Sequence, residues 1–296
     1  MHNYLLTVLL EKNMNKIGFN VLAWSAGMSD ELFPIIERLK EIGYDGVEYF
    51  IGAPDEDAYK RVGNRSRELG LGVTAVTVVS PDTNPVSESA TVRAQALDQL
   101  KWVIDRAHDL NAEVLCGPFH SAHAHFVARP ASVDEFARAA EVLHAAGEYA
   151  AQANLILAPE ALNRFECYLC NTMEHLANLV QLTNHPNVRA MFDTHHANIE
   201  EKKYESAIRT IAPYLSHVHI SENDRGTPGD GHIPWDNAFA GLAAVGYKGW
   251  LTIEAFSRND PDFANAIGVW REYNDPWHIA ENGLTFIREM SIKHNL

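Results

Sequence analysis

Short apolar runs alternate with longer amphipathic stretches along almost the whole chain. The runs at 17–24, 45–50, 72–79, 113–119, 155–162, 188–196, 215–222 and 249–256 are rich in β-branched and aromatic residues and predict strands. Between them, Asp30–Ile42, Ala90–Leu110, Val133–Ala153 and Thr172–Leu182 carry helical periodicity. Helix-ending turns lead into the second and third strands, as in Ile42-Gly43-Tyr44-Asp45 and Leu69-Gly70-Leu71-Gly72. Eight such β/α units in roughly 280 residues predict a (β/α)8 TIM barrel. A doubly wound open sheet is the alternative. It would call for a glycine-rich fingerprint after the first strand, and Asn20-Val21-Leu22-Ala23-Trp24 carries none.

No Pro/Gly/Ser-rich linker divides the sequence, so residues 16–296 are expected to form a single domain. Tyr4–Leu10 is an apolar run too short to span a bilayer, without a basic stretch before it or a small-residue cleavage site after it. Residues 1–15 are expected to be a disordered or loosely docked extension. With no transmembrane stretch elsewhere, a cytoplasmic protein is expected.

The polarity of the strand ends changes the picture. Chemistry in a barrel sits where side chains converge at the C-terminal ends of the strands. LILAP leads into Glu160, VRAMF into Asp193, LSHV into His219 and GWLTI into Glu254. A charge at the end of an apolar strand is costly unless it is paired, solvated or bound to metal. One such residue is ordinary, but four on consecutive strands point to a shared site. Three carboxylates and one imidazole make a mixed oxygen/nitrogen donor set, suited to Mn²⁺, Co²⁺ or Mg²⁺ rather than structural zinc. Glu166, His196 and Arg225 follow the same strands and are placed to meet a substrate's hydroxyls or carbonyl; for Glu166 and Arg225 a surface ion pair is the competing reading. His217 shares a strand face with His219 and is expected to be a buried supporting histidine rather than a fifth ligand. Gly226–Gly231 matches no phosphate-binding loop spacing.

Charge and cysteine content narrow the partners. Thirty-nine acidic residues against 24 basic ones leave a formal net charge of −15, a field that repels phosphate backbones and disfavours nucleic acid as a partner. Cys116, Cys167 and Cys170 are too few for a disulfide scaffold and fit a reducing compartment. The single C-x-x-C lacks a second pair to complete a zinc site, and packing is its expected role.

At the strand-end residues the sequence resembles the D-tagatose 3-epimerase / D-allulose (psicose) 3-epimerase family. The resemblance is carried by Glu160-Ala-Leu-Asn-Arg-Phe-Glu166, Asp193-Thr-His-His-Ala-Asn-Ile-Glu-Glu201 and His217-Val-His-Ile-Ser-Glu-Asn-Asp-Arg225. Pro228-Gly-Asp-Gly-His-Ile-Pro-Trp235, Ile253-Glu-Ala-Phe256 and Ala266-Ile-Gly-Val-Trp-Arg271 add to it. It runs from about Ile17 to the C-terminus. It implies a xylose-isomerase-like barrel with one divalent ion, Mn²⁺ foremost, held by Glu160, Asp193, His219 and Glu254. It also implies that Glu160 and Glu254 act as the acid/base pair and that Glu166, His196 and Arg225 hold the O1–O3 end of a ketose. Members of the family form homodimers or homotetramers.

Two stretches depart from the pattern: His195 stands where the family carries an aromatic, and Gly117–His125 is histidine-rich. That loop is expected to face the distal hydroxyls of the sugar. Competing readings are another sugar or inositol-derivative isomerase or dehydratase on the same barrel, a DNA-repair endonuclease, and a non-catalytic sugar-binding protein. Few cations fall in the strand-end loops, with Arg129, Arg164, Arg225 and Arg258 the candidates, so free sugars are expected ahead of phosphorylated ones.

Overall fold

Strands buried on both faces need continuous apolar sequence, and that is how each short run is used. The structure, a computed structural model, describes residues 15–272 and 274–296. Its strands are β1 Ile17–Asn20, β2 Gly46–Phe50, β3 Gly72–Val76, β4 Val114–Gly117, β5 Ile156–Pro159, β6 Ala190–Asp193, β7 Leu215–Ile220 and β8 Trp250–Ile253. All pair in parallel in the order β5-β4-β3-β2-β1-β8-β7-β6. A bridge between Leu157 and Val188 joins β5 to β6 and closes the ring. This is the expected barrel, not the open sheet.

The main outer helices are α1 Phe33–Ile42, α2 Glu56–Glu68, α3 Ala90–Leu110, α4 Val133–Gln152, α5 Met173–Thr183, α6 Thr194–Glu200, α7 Tyr204–Ile211, α8 Trp235–Ala244, α9 Pro261–Ala266 and α10 Pro276–His294. Their starts follow from capping chemistry. Ser132 and Glu135 form a reciprocal capping box before α4, and Asp275 and Pro276 open α10. At the N-terminal end of the barrel Trp250 lies over Gly46 and Gly72. A Cβ at Gly72 would come within 2.6 Å of its ring, so glycine is what lets the indole plug that end.

The strands are shorter than the apolar runs suggest, because pairing stops where side chains turn to the site. The clearest departure is the sixth. Residues 188–196 read as one strand, but the chain leaves the sheet after Asp193. The Asp193 side chain accepts from the backbone N–H groups of His195 (2.6 Å) and His196 (3.2 Å) and caps α6. His196 therefore sits in the first turn of a helix.

The extension expected over residues 1–15 lies outside the described residues except for Asn15. Its amide donates to the carbonyls of Tyr247 and Gly249. No helix among the described residues is long and apolar enough to cross a membrane.

Candidate active site

The C-terminal mouth of the barrel opens into a cavity of about 420 Å³. Glu160, Glu254, Arg225, His196, Glu166 and His123 line one part of it, and Leu22, Phe50, Val76, Phe256, Phe263 and Ile267 another. Glu160 follows β5, Asp193 ends β6, His219 lies near the end of β7 and Glu254 follows β8. Each of the four offers one ligand atom within 4.8 Å of the others, and all four are buried.

Asp193 divides its two oxygens: Oδ1 caps α6, while Oδ2 faces the site and accepts from Ser221 Oγ at 3.1 Å and Arg225 Nη1 at 3.0 Å. Arg225 Nη1 also donates to Glu254 Oε2 at 2.7 Å, and its guanidinium lies 5.0 Å from the Phe256 ring centre. To reach there Arg225 takes a left-handed backbone conformation, φ 64°. A non-glycine residue held in that region is a strained one.

Burial, and then the neighbouring Glu254 carboxylate, push the Glu160 carboxyl well above the usual carboxylate range. Asp193 goes the other way. Burial opposes its ionisation, but Arg225, His196 and His219 outweigh it and hold the group well below that range. Burial likewise works against charge on His219, but Glu254 and Glu48 outweigh it and raise its pKa. The cluster thus favours positive charge at the His219 ring, whether from a proton or from a cation that displaces it.

Two buried atoms test the fit of a cation. Glu160 Oε1 and His219 Nδ1 have no hydrogen-bond partner, and an unpaired buried polar atom is costly. His219 Nδ1 stands 3.4 Å from Glu254 Oε2 and 3.6 Å from Asp193 Oδ2. Two donors each about 2.1 Å from one ion stand roughly 3.0–3.5 Å apart. The donor set and spacing fit a divalent cation.

His196 is fixed from behind. Its Nδ1 accepts from the Asn163 backbone N–H at 3.1 Å and faces Asn163 Nδ2 at 3.0 Å. The Asn163 amide is itself oriented, donating to Glu166 Oε1 at 2.7 Å and accepting from the Phe165 N–H. Burial pushes the His196 imidazole down to about 3, so the ring is neutral, and its Nε2 faces the donor Arg225 Nη2 at 3.0 Å. His196 Nε2 lies 3.6 Å from Glu160 Oε1. Burial opposes ionisation of Glu166, but His123, His196, Arg225 and Asn163 hold it well below its ordinary value.

The histidine-rich loop is divided. His120 is buried, with Nε2 2.7 Å from the Glu160 carbonyl oxygen, so it holds the backbone at that carboxylate. His123 lines the cavity 3.4 Å from Glu166. His195 also lines the cavity, its Nδ1 facing the Glu222 carbonyl oxygen at 3.1 Å. The Gly226–Gly231 loop wraps a carboxylate of the chain itself. Glu222 accepts from Asn223 N, Gly229 N, Ile233 N and Trp235 Nε1, and a Cβ at Gly231 would collide with it. Cys167 and Cys170 are free thiols packed in the core.

Sequence reasoning passed over Glu48, Asn20, Asn163 and Cys116. Glu48 is fully buried on β2, with Oε1 2.8 Å from His219 Nε2 and Oε2 2.9 Å from His217 Nε2. Its signal was present in Gly46-Val-Glu-Tyr-Phe50, a charge inside an apolar run.

Eight parallel β/α units with an acid-rich donor cluster at the C-terminal mouth define a TIM-barrel enzyme of the xylose isomerase type. Residues 36–289 match the model of the family described as xylose isomerase-like TIM barrel. The D-psicose 3-epimerase of Agrobacterium fabrum is 29% identical over 283 residues, covering 92% of this chain and 98% of that one. The L-ribulose 3-epimerase of Mesorhizobium japonicum is 30% identical over 279 residues, 93% of each chain. The crystal structure of a D-allulose 3-epimerase from Methylomonas sp. in complex with D-allulose is similar with a TM-score of 0.87 at 27% identity, over 94% of this chain and 98% of that one. The chain belongs to the xylose isomerase-like TIM-barrel family and, within it, to the ketose 3-epimerases, carbohydrate isomerases.

Proposed function

We propose that the protein is a metal-dependent ketose 3-epimerase that interconverts free ketohexoses or ketopentoses epimeric at C3. D-fructose/D-allulose, D-tagatose/D-sorbose and L-ribulose/L-xylulose are such pairs. The observation that carries this reading is the buried cluster itself. Glu160 and Glu254 approach one cavity from different strands, and Glu160 Oε1 and His219 Nδ1 are left unpaired within it.

Glu160, Asp193, His219 and Glu254 would hold one divalent ion, Mn²⁺ foremost with Co²⁺ or Mg²⁺ as alternatives. Once bound, the ion would polarise the C2 carbonyl and favour negative charge on its oxygen. One glutamate removes the C3 proton to give a cis-enediolate, and the other returns a proton from the opposite face. The Glu160 pKa, raised by burial and by Glu254, suits a carboxyl that must both take up and give back a proton. The Arg225 guanidinium donates to the oxygens at the O1–O3 end of the sugar, His196 lies beside it there, and Glu166 accepts from a hydroxyl.

Free sugars are favoured because the other candidate cations are engaged elsewhere. Arg129 pairs with Glu135, Arg164 with Glu200, and Arg258 bonds to Val269 and Asn265. Among the described residues lining the cavity, Arg225 alone is a permanent cation. The same reading takes residues 16–296 as one domain working in the cytoplasm as a homodimer or homotetramer, which sedimentation analysis tests.

The decisive assay is product analysis on D-fructose, D-tagatose and L-ribulose with Mn²⁺, with and without EDTA. The C3 epimer should form, stop on chelation and resume on adding Mn²⁺. Aldose or dehydrated products, or full speed after chelation, would overturn the proposal.

A further inference from the structure

The interior of the barrel below the donor cluster holds a second group of polar side chains, which shares His219 with that cluster. Asn20 on β1, Glu48 on β2, Thr74 on β3, Cys116 on β4 and His217 and His219 on β7 meet there, all essentially buried. Glu48 is the hub. Its Oε1 accepts from Asn20 Nδ2 at 2.9 Å, and its Oε2 accepts from Thr74 Oγ1 at 2.8 Å and from Cys116 Sγ at 3.3 Å.

Glu48, Cys116, His217 and His219 have the residue types of a second metal site. The spacing rejects that. Glu48 lies 2.8 Å from His219 and 2.9 Å from His217, distances of direct hydrogen-bonding contact, whereas the contacts on the other side of the His219 ring are the wider 3.4 and 3.6 Å of donors around an ion. One edge of the imidazole therefore faces the Glu48 carboxyl group and the other faces the cation position. Nε2, 2.8 Å from Glu48 Oε1, is the nitrogen placed to carry the proton, which leaves the unpartnered Nδ1 with its lone pair towards the donor cluster. Asn20 extends the same control to a second ligand, since its Nδ2 also reaches Glu254 Oε1 at 3.4 Å.

We propose that Glu48 is a positioning residue for the metal centre: it fixes the His219 tautomer with Nδ1 free to ligate and, through Asn20, the orientation of Glu254. This rests on the metal-bound reading of the cluster. Glu48 touches neither ion nor substrate, and it acts through the two ligands it holds. Replacing such a carboxylate weakens metal binding by about ten- to a hundredfold.

The test is Mn²⁺ affinity by titration calorimetry on wild type, Glu48→Gln and Glu48→Asp, with circular dichroism melts to confirm folding. Wild type should bind one Mn²⁺ per chain. Glu48→Gln should bind it at least tenfold more weakly, and Glu48→Asp, which keeps the carboxyl group, should recover part of the loss. Should wild type bind no Mn²⁺, both the metal reading and this inference fall. Should wild type bind it and folded Glu48→Gln bind it equally well, this inference alone falls. A measurement on wild type covers a variant that does not fold. In ¹⁵N-histidine-labelled protein loaded with diamagnetic Cd²⁺, His219 should show a protonated Nε2 and a metal-shifted Nδ1, and the reverse assignment overturns the proposal.

Discussion

Removing Arg225 should destabilise the metal-free protein far more than a typical surface change, and by an amount the geometry sets. Its guanidinium stands between Asp193 Oδ2 at 3.0 Å and Glu254 Oε2 at 2.7 Å, with the side chain 11% exposed. Arg225→Ala leaves two buried carboxylates without their counter-charge, and breaking a buried pair in this way costs about 3–5 kcal/mol. The left-handed backbone at this position supplies an internal control. Alanine keeps that strain and glycine does not, so Arg225→Gly should be more stable than Arg225→Ala by about 1 kcal/mol. At about 2–4 °C per kcal/mol, the expected loss in Arg225→Ala is roughly 6–20 °C in Tm, a few degrees less in the glycine variant. Calorimetric melts in EDTA measure both. Added Mn²⁺ should raise the variants' Tm, because a bound cation supplies the missing charge. A Tm within about 2 °C of wild type, or an alanine variant more stable than the glycine one, would refute the reasoning.

Glu160→Gln and Glu254→Gln should each lower kcat by at least about 10²-fold with the fold retained, and near-wild-type turnover in either ends the two-base scheme. Asn163→Ala removes the side-chain contact to His196 Nδ1 while leaving the backbone one, and losing that bond should lower kcat/KM about tenfold without a comparable loss of stability; steady-state kinetics beside a melt separates the two. Glu135 predicts a pH effect far from the chemistry. Burial opposes its ionisation, but Arg129, Tyr168 and Ser132 bring its pKa from the ordinary 4.5 down to about 2. Because the folded-state value is depressed, the stabilisation is present above about pH 4.5 and is lost as the pH falls towards 2. Urea unfolding of wild type and Glu135→Gln should therefore differ at pH 7, and the gap should narrow progressively as the pH falls from about 4.5 towards 2; a gap that stays constant refutes the assignment.

The barrel was legible because its strands are buried on both faces and read as continuous apolar runs, which no surface element imitates. The donor cluster was legible for the complementary reason, since Glu160, Asp193, His219 and Glu254 interrupt those runs at their ends. Glu48 interrupts one as well, yet it lies in the middle of β2. Its pairing with His219 depends on β2 and β7 facing each other across the barrel, a relation that sequence spacing does not carry. The α6 start was hidden because Thr194-His195-His196 continues the apparent strand, and only the Asp193 cap turns the chain there. Asn163 was hidden in a loop, where a side chain's partner is a matter of tertiary contact rather than period. The conformation of Arg225 has no sequence signal, as arginine is a poor choice for a left-handed position and is held there by the two carboxylates it reaches.

Exchange of the C3 hydrogen with solvent tests the account most directly. With Mn²⁺-loaded protein and D-fructose in D₂O, the recovered D-fructose and its epimer should both carry deuterium at C3, because each passage between the two glutamates removes one hydrogen and returns another from solvent. Epimer formed with no deuterium at C3, or deuterium placed at C1 instead, would contradict proton transfer at C3 by Glu160 and Glu254.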